Sequence, residues 1–105
     1  MVRKMSQRSE LIEKLEKICD NPENEFDKII RKNRKLIRKM DEKKISEIYM
    51  TRRKAAKLCG IIGYKREEVK LLVNLREVDM NSKVAELEDC FNILEYLLEK
   101  AESEE

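Results

Sequence analysis

The stretch MNSKVAELEDCFNILEYLLEKA, residues 80–101, decides the fold class. Met80, Val84, Leu87, Phe91, Leu94, Leu98 and Ala101 recur in it at alternating intervals of four and three. That spacing puts them on one stripe of an α-helix that must be buried against other helices. Cys90, Ile93 and Leu97 widen the stripe, which suits a bundle more than a two-stranded seam. Just upstream, Asp79-Met80-Asn81-Ser82 offers cap-forming side chains and reads as a short connection.

Working outward from this helix, the same period continues toward the N-terminus. Val69, Leu72 and Val73, flanked by Leu71, Leu75 and Val78, predict a helix over about 64–78. Gly60 reads as the end of the helix before it, because glycine enters the left-handed region without strain. The two isoleucines of Gly60-Ile61-Ile62-Gly63 are expected to tuck inward. Upstream again, Phe26, Ile29, Ile30, Asn33, Ile37 and Met40 share one face, and Ile45, Ile48, Tyr49, Ala55, Ala56 and Cys59 share another. The register slips between them, around Asp41-Glu42-Lys43-Lys44. The segment 23–59 is therefore either one long helix kinked near residue 41 or two helices with Asp41 as the cap. Continuity is favoured, since no Gly or Pro forces a break. Leu11, Ile12, Leu15, Ile18 and Cys19 predict a first helix over about 9–20, capped by Ser6 or Ser9. Asn21-Pro22 ends it and starts the next, with Pro22 at the first helical position.

With only two Gly and one Pro in 105 residues, the chain lacks the turn residues that a sheet protein needs. The expected fold is all-α: a small antiparallel bundle of about four helices. A single helical domain over 1–105 is expected, with 1–8 and 103–105 frayed. No apolar run is long enough for a membrane span, and Met1–Ser6 leads into no apolar segment of a secretory signal. A 37-residue helix would reach about 55 Å at 1.5 Å per residue, long for a chain of this size. A partner copy packed along it is one resolution. The partner interface would then involve Asn33, Ile37 and Met40, or Val84, Leu87, Phe91 and Leu94, with Asn33 setting the register.

Histidine is absent, and the three cysteines, Cys19, Cys59 and Cys90, are too widely spaced for a zinc site and odd in number for a disulfide set. Each adjoins an apolar residue and reads as a small buried hydrophobe. Reduced thiols point to a cytoplasmic protein. No metal, cofactor or enzymatic activity is expected. The composition, 44% charged with a single Thr, resembles that of thermophile proteins.

Charge position is more informative than the net value of +2. Net charge runs −2 over 1–27, +10 over 28–57, +2 over 58–66 and −8 over 67–105. Such asymmetry suggests a polyanionic partner or attraction between oppositely charged helices. Lys28, Lys32, Lys35 and Lys39 lie at helical spacing opposite the apolar face. With Arg31, Arg38, Arg52, Arg53 and Lys57 they form the candidate nucleic-acid contact set, reading phosphates more than bases. Tyr49 alone among aromatics lies in this stretch, so base stacking has little support. The competing expectation is a structural or adaptor subunit that mates basic and acidic helices with protein partners.

Some partial resemblances accompany these readings. Ala55-Ala56-Lys57-Leu58-Cys59-Gly60-Ile61 resembles the first half of a helix-turn-helix, but Arg66 stands where the second helix should place an aliphatic. Glu10/Glu13 and Glu86/Asp89 resemble the paired carboxylates with which all-α nucleotide pyrophosphatases hold Mg²⁺, though Glu86 and Asp89 fall outside the apolar stripe. Asn24-Glu25-Phe26 followed by Arg52-Arg53-Lys54-Ala55-Ala56 resembles the helical domain of archaeal GINS replication subunits. None of these carries a functional residue across.

Overall fold

A computed structural model of the chain describes residues 7–75 and 81–103. Six helices occur among them: α1 (Gln7–Asp20), α2 (Glu25–Lys32), α3 (Arg34–Arg38), α4 (Glu42–Ile62), α5 (Arg66–Leu75) and α6 (Asn81–Ser103). No strand is present among the described residues. The all-α expectation holds, with six helices in place of about four, because the segment 23–59 divides.

The division has two distinct causes. At Asn33 the backbone (φ −106°, ψ 20°) leaves helical values, and its side-chain Nδ2 donates to the Ile29 carbonyl at 2.9 Å. A short amide that competes for a helix carbonyl disturbs the ladder locally. Yet the Ile37 N–H still reaches the Asn33 carbonyl at 3.0 Å, so Asn33 marks a kink. The true break comes at 39–41. There the N–H groups of Lys39 and Met40 close tight turns onto Leu36 and Ile37. Asp41 then takes an extended conformation (ψ 167°) and accepts from the Lys44 N–H at 2.9 Å. The favoured continuous helix is thus corrected to the alternative, with Asp41 as an N-cap. Opposite the break, Arg8 of α1 donates from Nε to the Met40 carbonyl at 2.9 Å and from Nη2 to the Arg38 carbonyl. These carbonyls would otherwise go unpaired at the helix end.

Four other boundaries move. The cap of α2 is Asn24, three residues beyond Asn21: its Oδ1 accepts from the Asp27 N–H at 2.8 Å. Asp27 Oδ2 accepts in return from the Glu23 N–H at 3.1 Å, a capping box displaced by one residue. The α4 terminus is Gly63, with φ +72°, not Gly60. Gly60 lies inside the helix, so Ile61 is helical and 58% exposed, not tucked inward. Gln7 and Arg8 belong to α1, and Ser103 to α6. The expected Ser6 cap, Val78, and the Asp79-Met80 part of the connection lie outside the described residues.

The two long helices α4 and α6 pack most extensively on each other, α5 closes on α6, and α1 lies against α4 and α2. One apolar cluster fills the space between them. The only two phenylalanines, Phe26 of α2 and Phe91 of α6, meet at its centre, ring centroids 5.7 Å apart and tilted by 45°. Tilted aromatic pairs of this kind add roughly 0.5–1.5 kcal/mol to their area burial. The predicted stripe of α6 is buried as expected, from Val84 and Leu87 through Phe91, Leu94 and Leu98 to Ala101. Cys90 and Leu97 join it, whereas Ile93 is 43% exposed. The molecule measures 55 × 31 × 20 Å. No helix of the described residues is long and apolar enough to cross a membrane.

Candidate nucleic-acid interface

Amphipathic geometry sorts the basic residues before any ligand is considered. On α2, Phe26, Asp27 and Ile30 are buried, so Lys28, Arg31 and Lys32 project from the opposite side and are exposed. Beyond the kink, Lys35 is exposed on α3. The bend at Asn33 gathers Arg31, Lys32, Arg34 and Lys35 around one open depression of about 530 Å³, with Glu102 of α6 at its edge. On α4, Ile45, Ile48, Ala55, Leu58 and Cys59 face the core. Arg53, Lys54 and Lys57 are exposed on its far side and form a second cationic group. Lys28, Arg31, Lys32, Lys35, Arg53, Lys54 and Lys57 make no ion pair among the described residues.

Arg52 is placed differently. It occupies the a/d rhythm of α4 between Ile48 and Ala55, turned into the protein, and its side chain is only 19% exposed. Its Nε and Nη2 donate to Asp27 Oδ1 and Oδ2 at 2.9 and 3.0 Å. These bonds push the Arg52 guanidinium above its ordinary value. Asp27 is fully buried, and the two Arg52 donors with the Glu23 N–H satisfy its carboxylate. The bidentate pair ties α2 to α4 and leaves Arg52 no free fork for a phosphate. Arg38 is exposed, with Nε 3.9 Å from Glu16. Arg34 is bonded to the same carboxylate through Nε at 3.1 Å, so both arginines lean on α1. Lys39 caps α3 and is exposed.

The expected partner-interface residues divide in the same way. Ile37, Met40, Val84, Leu87, Phe91 and Leu94 are all buried in the chain's own core. Asn33 serves the kink described above. The exposed large apolar side chains are others: Met50, Ile61, Leu71, Leu75, Ile93 and Tyr96.

The pairing of Asp27 with Arg52 was missed in the sequence reading, although a signal exists. Ile45, Ile48, Arg52, Ala55 and Cys59 follow intervals of three and four, so a cation sits at a seam position. Asp27 likewise lies three residues before Ile30 on the apolar face. Two opposite charges at buried positions of neighbouring helices require each other. Lys54, absent from the candidate set, belongs with Arg53 and Lys57 by the same wheel.

Carboxylates show no comparable convergence. Glu10, Glu13, Glu86 and Asp89 are exposed, and the described residues contain no group of three or more His, Cys, Asp or Glu able to hold a metal ion. The thiols are buried and free. Burial pushes Cys19 and Cys90 up, and takes Cys59 up to about 11. At neutral pH all three are therefore protonated and poor nucleophiles. Comparison of the chain with family models, with curated proteins and with solved structures finds no match.

Proposed function

We propose that the chain is a non-enzymatic helical module that binds nucleic acid through the phosphate backbone. The contacts are Arg31, Lys32 and Lys35 around the α2–α3 depression with Lys28 exposed on α2, extended by Arg53, Lys54 and Lys57 of α4. One observation carries this reading: these seven cations are exposed without an ion pair among the described residues. Exposed cations held on rigid helices release counterions from a polyanion at little ordering cost. Lys39 extends the α2–α3 group, and Arg38 and Arg34 contribute less because Glu16 competes for them. Arg52 is not part of the contact set. The reading names no preference between DNA and RNA.

The test is fluorescence anisotropy of labelled duplex DNA, duplex RNA and a single strand, at about 50 and 200 mM salt. With a slope near −0.9 per phosphate neutralised, even four of these seven contacts predict roughly a 100-fold loss of affinity over that interval. Reversing Lys28, Lys32 and Lys35 to Glu should abolish binding and leave the circular dichroism spectrum unchanged. No binding to any of the three at the lower salt refutes the reading.

A structural or adaptor subunit is the second reading, favoured by the exposed Leu71 and Leu75 of α5, at 57% and 59%. Under it, the same charge reversal changes assembly, as read by sedimentation. Self-association belongs here also, through exposed side chains and not through the buried stripe. Three thiols without a disulfide fit a reducing compartment such as the cytoplasm.

A further inference from the structure

Between α2, the first turn of α5 and α6 lies a cavity of about 300 Å³. Phe91, Leu94 and Leu98, all buried, line it from α6, and Ile29 lines it from α2. Its polar lining is unlike that of a packing defect. Lys32 is exposed, and Asn33 is held by its bond to the Ile29 carbonyl. Arg66 is ion-paired with Glu95 through Nη2, while its Nε is buried and has no hydrogen-bond partner. A buried donor on a cation is destabilising until an acceptor reaches it.

We propose that this cavity binds a small amphipathic monocarboxylate. The apolar body lies over Ile29 and the edge of Leu98, above the buried Phe91 and Leu94, and the carboxylate accepts from Arg66 Nε and Lys32 Nζ. Three features select this chemistry. Lys32 and Arg66 against Glu95 leave one positive charge, which matches a monoanion. A dianion such as a phosphate monoester overshoots that charge and meets the Glu95 carboxylate. A neutral ligand leaves the charge uncompensated, and a cation is repelled by Lys32. The volume stands at the lower limit of ligand sites, roughly 300–1,000 Å³, so the body is a short acyl chain or a single ring. Carboxylate binding here does not depend on nucleic-acid binding, although Lys32 belongs to both surfaces.

The test is an NMR titration of the full chain with octanoate, and with octanol and octylammonium as controls. Octanoate should give saturable shifts at Phe91, Leu94 and Leu98, with the controls at least about tenfold weaker. Arg66→Gln should weaken octanoate about tenfold and Lys32→Gln by a smaller factor, with no change for octanol. Octanol binding as tightly as octanoate overturns the proposal. So do shifts that map elsewhere, an affinity indifferent to both substitutions, or no saturation by about 10 mM. Should Arg66→Gln fail to fold, Lys32→Gln at its exposed position and the octanol comparison decide the matter.

Discussion

Replacing Arg52 by Met should destabilise this protein more than any surface change of equal size. The substitution keeps the aliphatic stem along α4 and removes the guanidinium. Asp27, fully buried, then keeps the Glu23 N–H at 3.1 Å and loses donors at 2.9 and 3.0 Å. Stranding a buried charge in this way costs about 3–5 kcal/mol. At roughly 0.05–0.15 kcal/mol per residue, the whole chain has about 5–15 kcal/mol to lose. Equilibrium urea unfolding followed by circular dichroism reads the effect directly. With a slope near 2 kcal/mol per molar, the midpoint should fall by about 2 M. Asp27→Asn should be milder, at about 1–3 kcal/mol. It retains an oxygen for the Glu23 N–H, and Arg52 at the rim can turn to solvent. The double variant should lie below the sum of the single losses by about 2–3 kcal/mol, because each change removes the other's penalty. A loss under about 1 kcal/mol for Arg52→Met, or additivity within about 0.5 kcal/mol, refutes the assignment of this pair as the α2–α4 tie.

Two further predictions use single residues whose surroundings differ in one respect. Gly60 is helical with open space at its Cβ position, so Gly60→Ala should stabilise by about 0.5–1 kcal/mol. Gly63→Ala, at φ +72°, should destabilise by about 1–2 kcal/mol; thermal melts of the two variants should move in opposite directions. Cys59, raised from 9.0 to about 11, ties stability to alkaline pH. Its folded state holds the proton that the unfolded state releases first. Stability is therefore intact below about pH 9 and falls by about 2–3 kcal/mol as pH rises toward 11. Cys59→Ala should flatten that slope in urea titrations. All three thiols should resist a thiol reagent until denaturant is added.

The course of α6 was legible because one residue type of signal, apolar spacing, dominates it over three heptads. The segment 23–59 was not, because its deciding signals are polar and local. Asn33 and Asp41 interrupt the helix through a side-chain amide and a carboxylate bonding to backbone, without any Gly or Pro. The sequence shows both residues, but neither announces whether its side chain will cap, kink or point outward. Gly60 and Gly63 present the same problem at the end of α4. Both are glycines flanking two isoleucines, and packing decides which enters the left-handed region. For the surface, exposure of Lys28, Arg31, Lys32 and Lys35 followed from the helical wheel. The convergence of Arg31, Lys32 and Lys35 on one depression did not, because it depends on the Asn33 kink.

The pairing of charges bears on what the basic stretch is for. Over 28–57 the chain carries a net +10, and over 67–105 a net −8. Were these segments built to neutralise each other, the acids of α6 would take the cations of α2–α4. Instead Glu16 of α1 takes Arg34 and lies near Arg38, and Asp27 of α2 takes Arg52. From the acidic final helix, Glu95 takes Arg66, which lies outside the basic stretch. Glu86, Asp89 and Glu99 stand exposed on α6, and only Glu102 borders the cationic depression. The fold thus uses N-terminal acids to hold Arg34, Arg38 and Arg52 and leaves Lys28, Lys32, Lys35, Lys54 and Lys57 to solvent. Surface pairs of this kind stabilise by no more than about 1 kcal/mol each, so leaving cations unpaired sacrifices little stability. What it retains is a cationic surface at the α2–α3 bend beside an acidic one along α6, with Glu102 at their border. Such a surface steers a polyanion to the bend and repels it from the exposed acids of α6. Reversing charge at the bend should therefore slow association, whereas neutralising Glu86 and Asp89 should speed it, both differences vanishing at high salt.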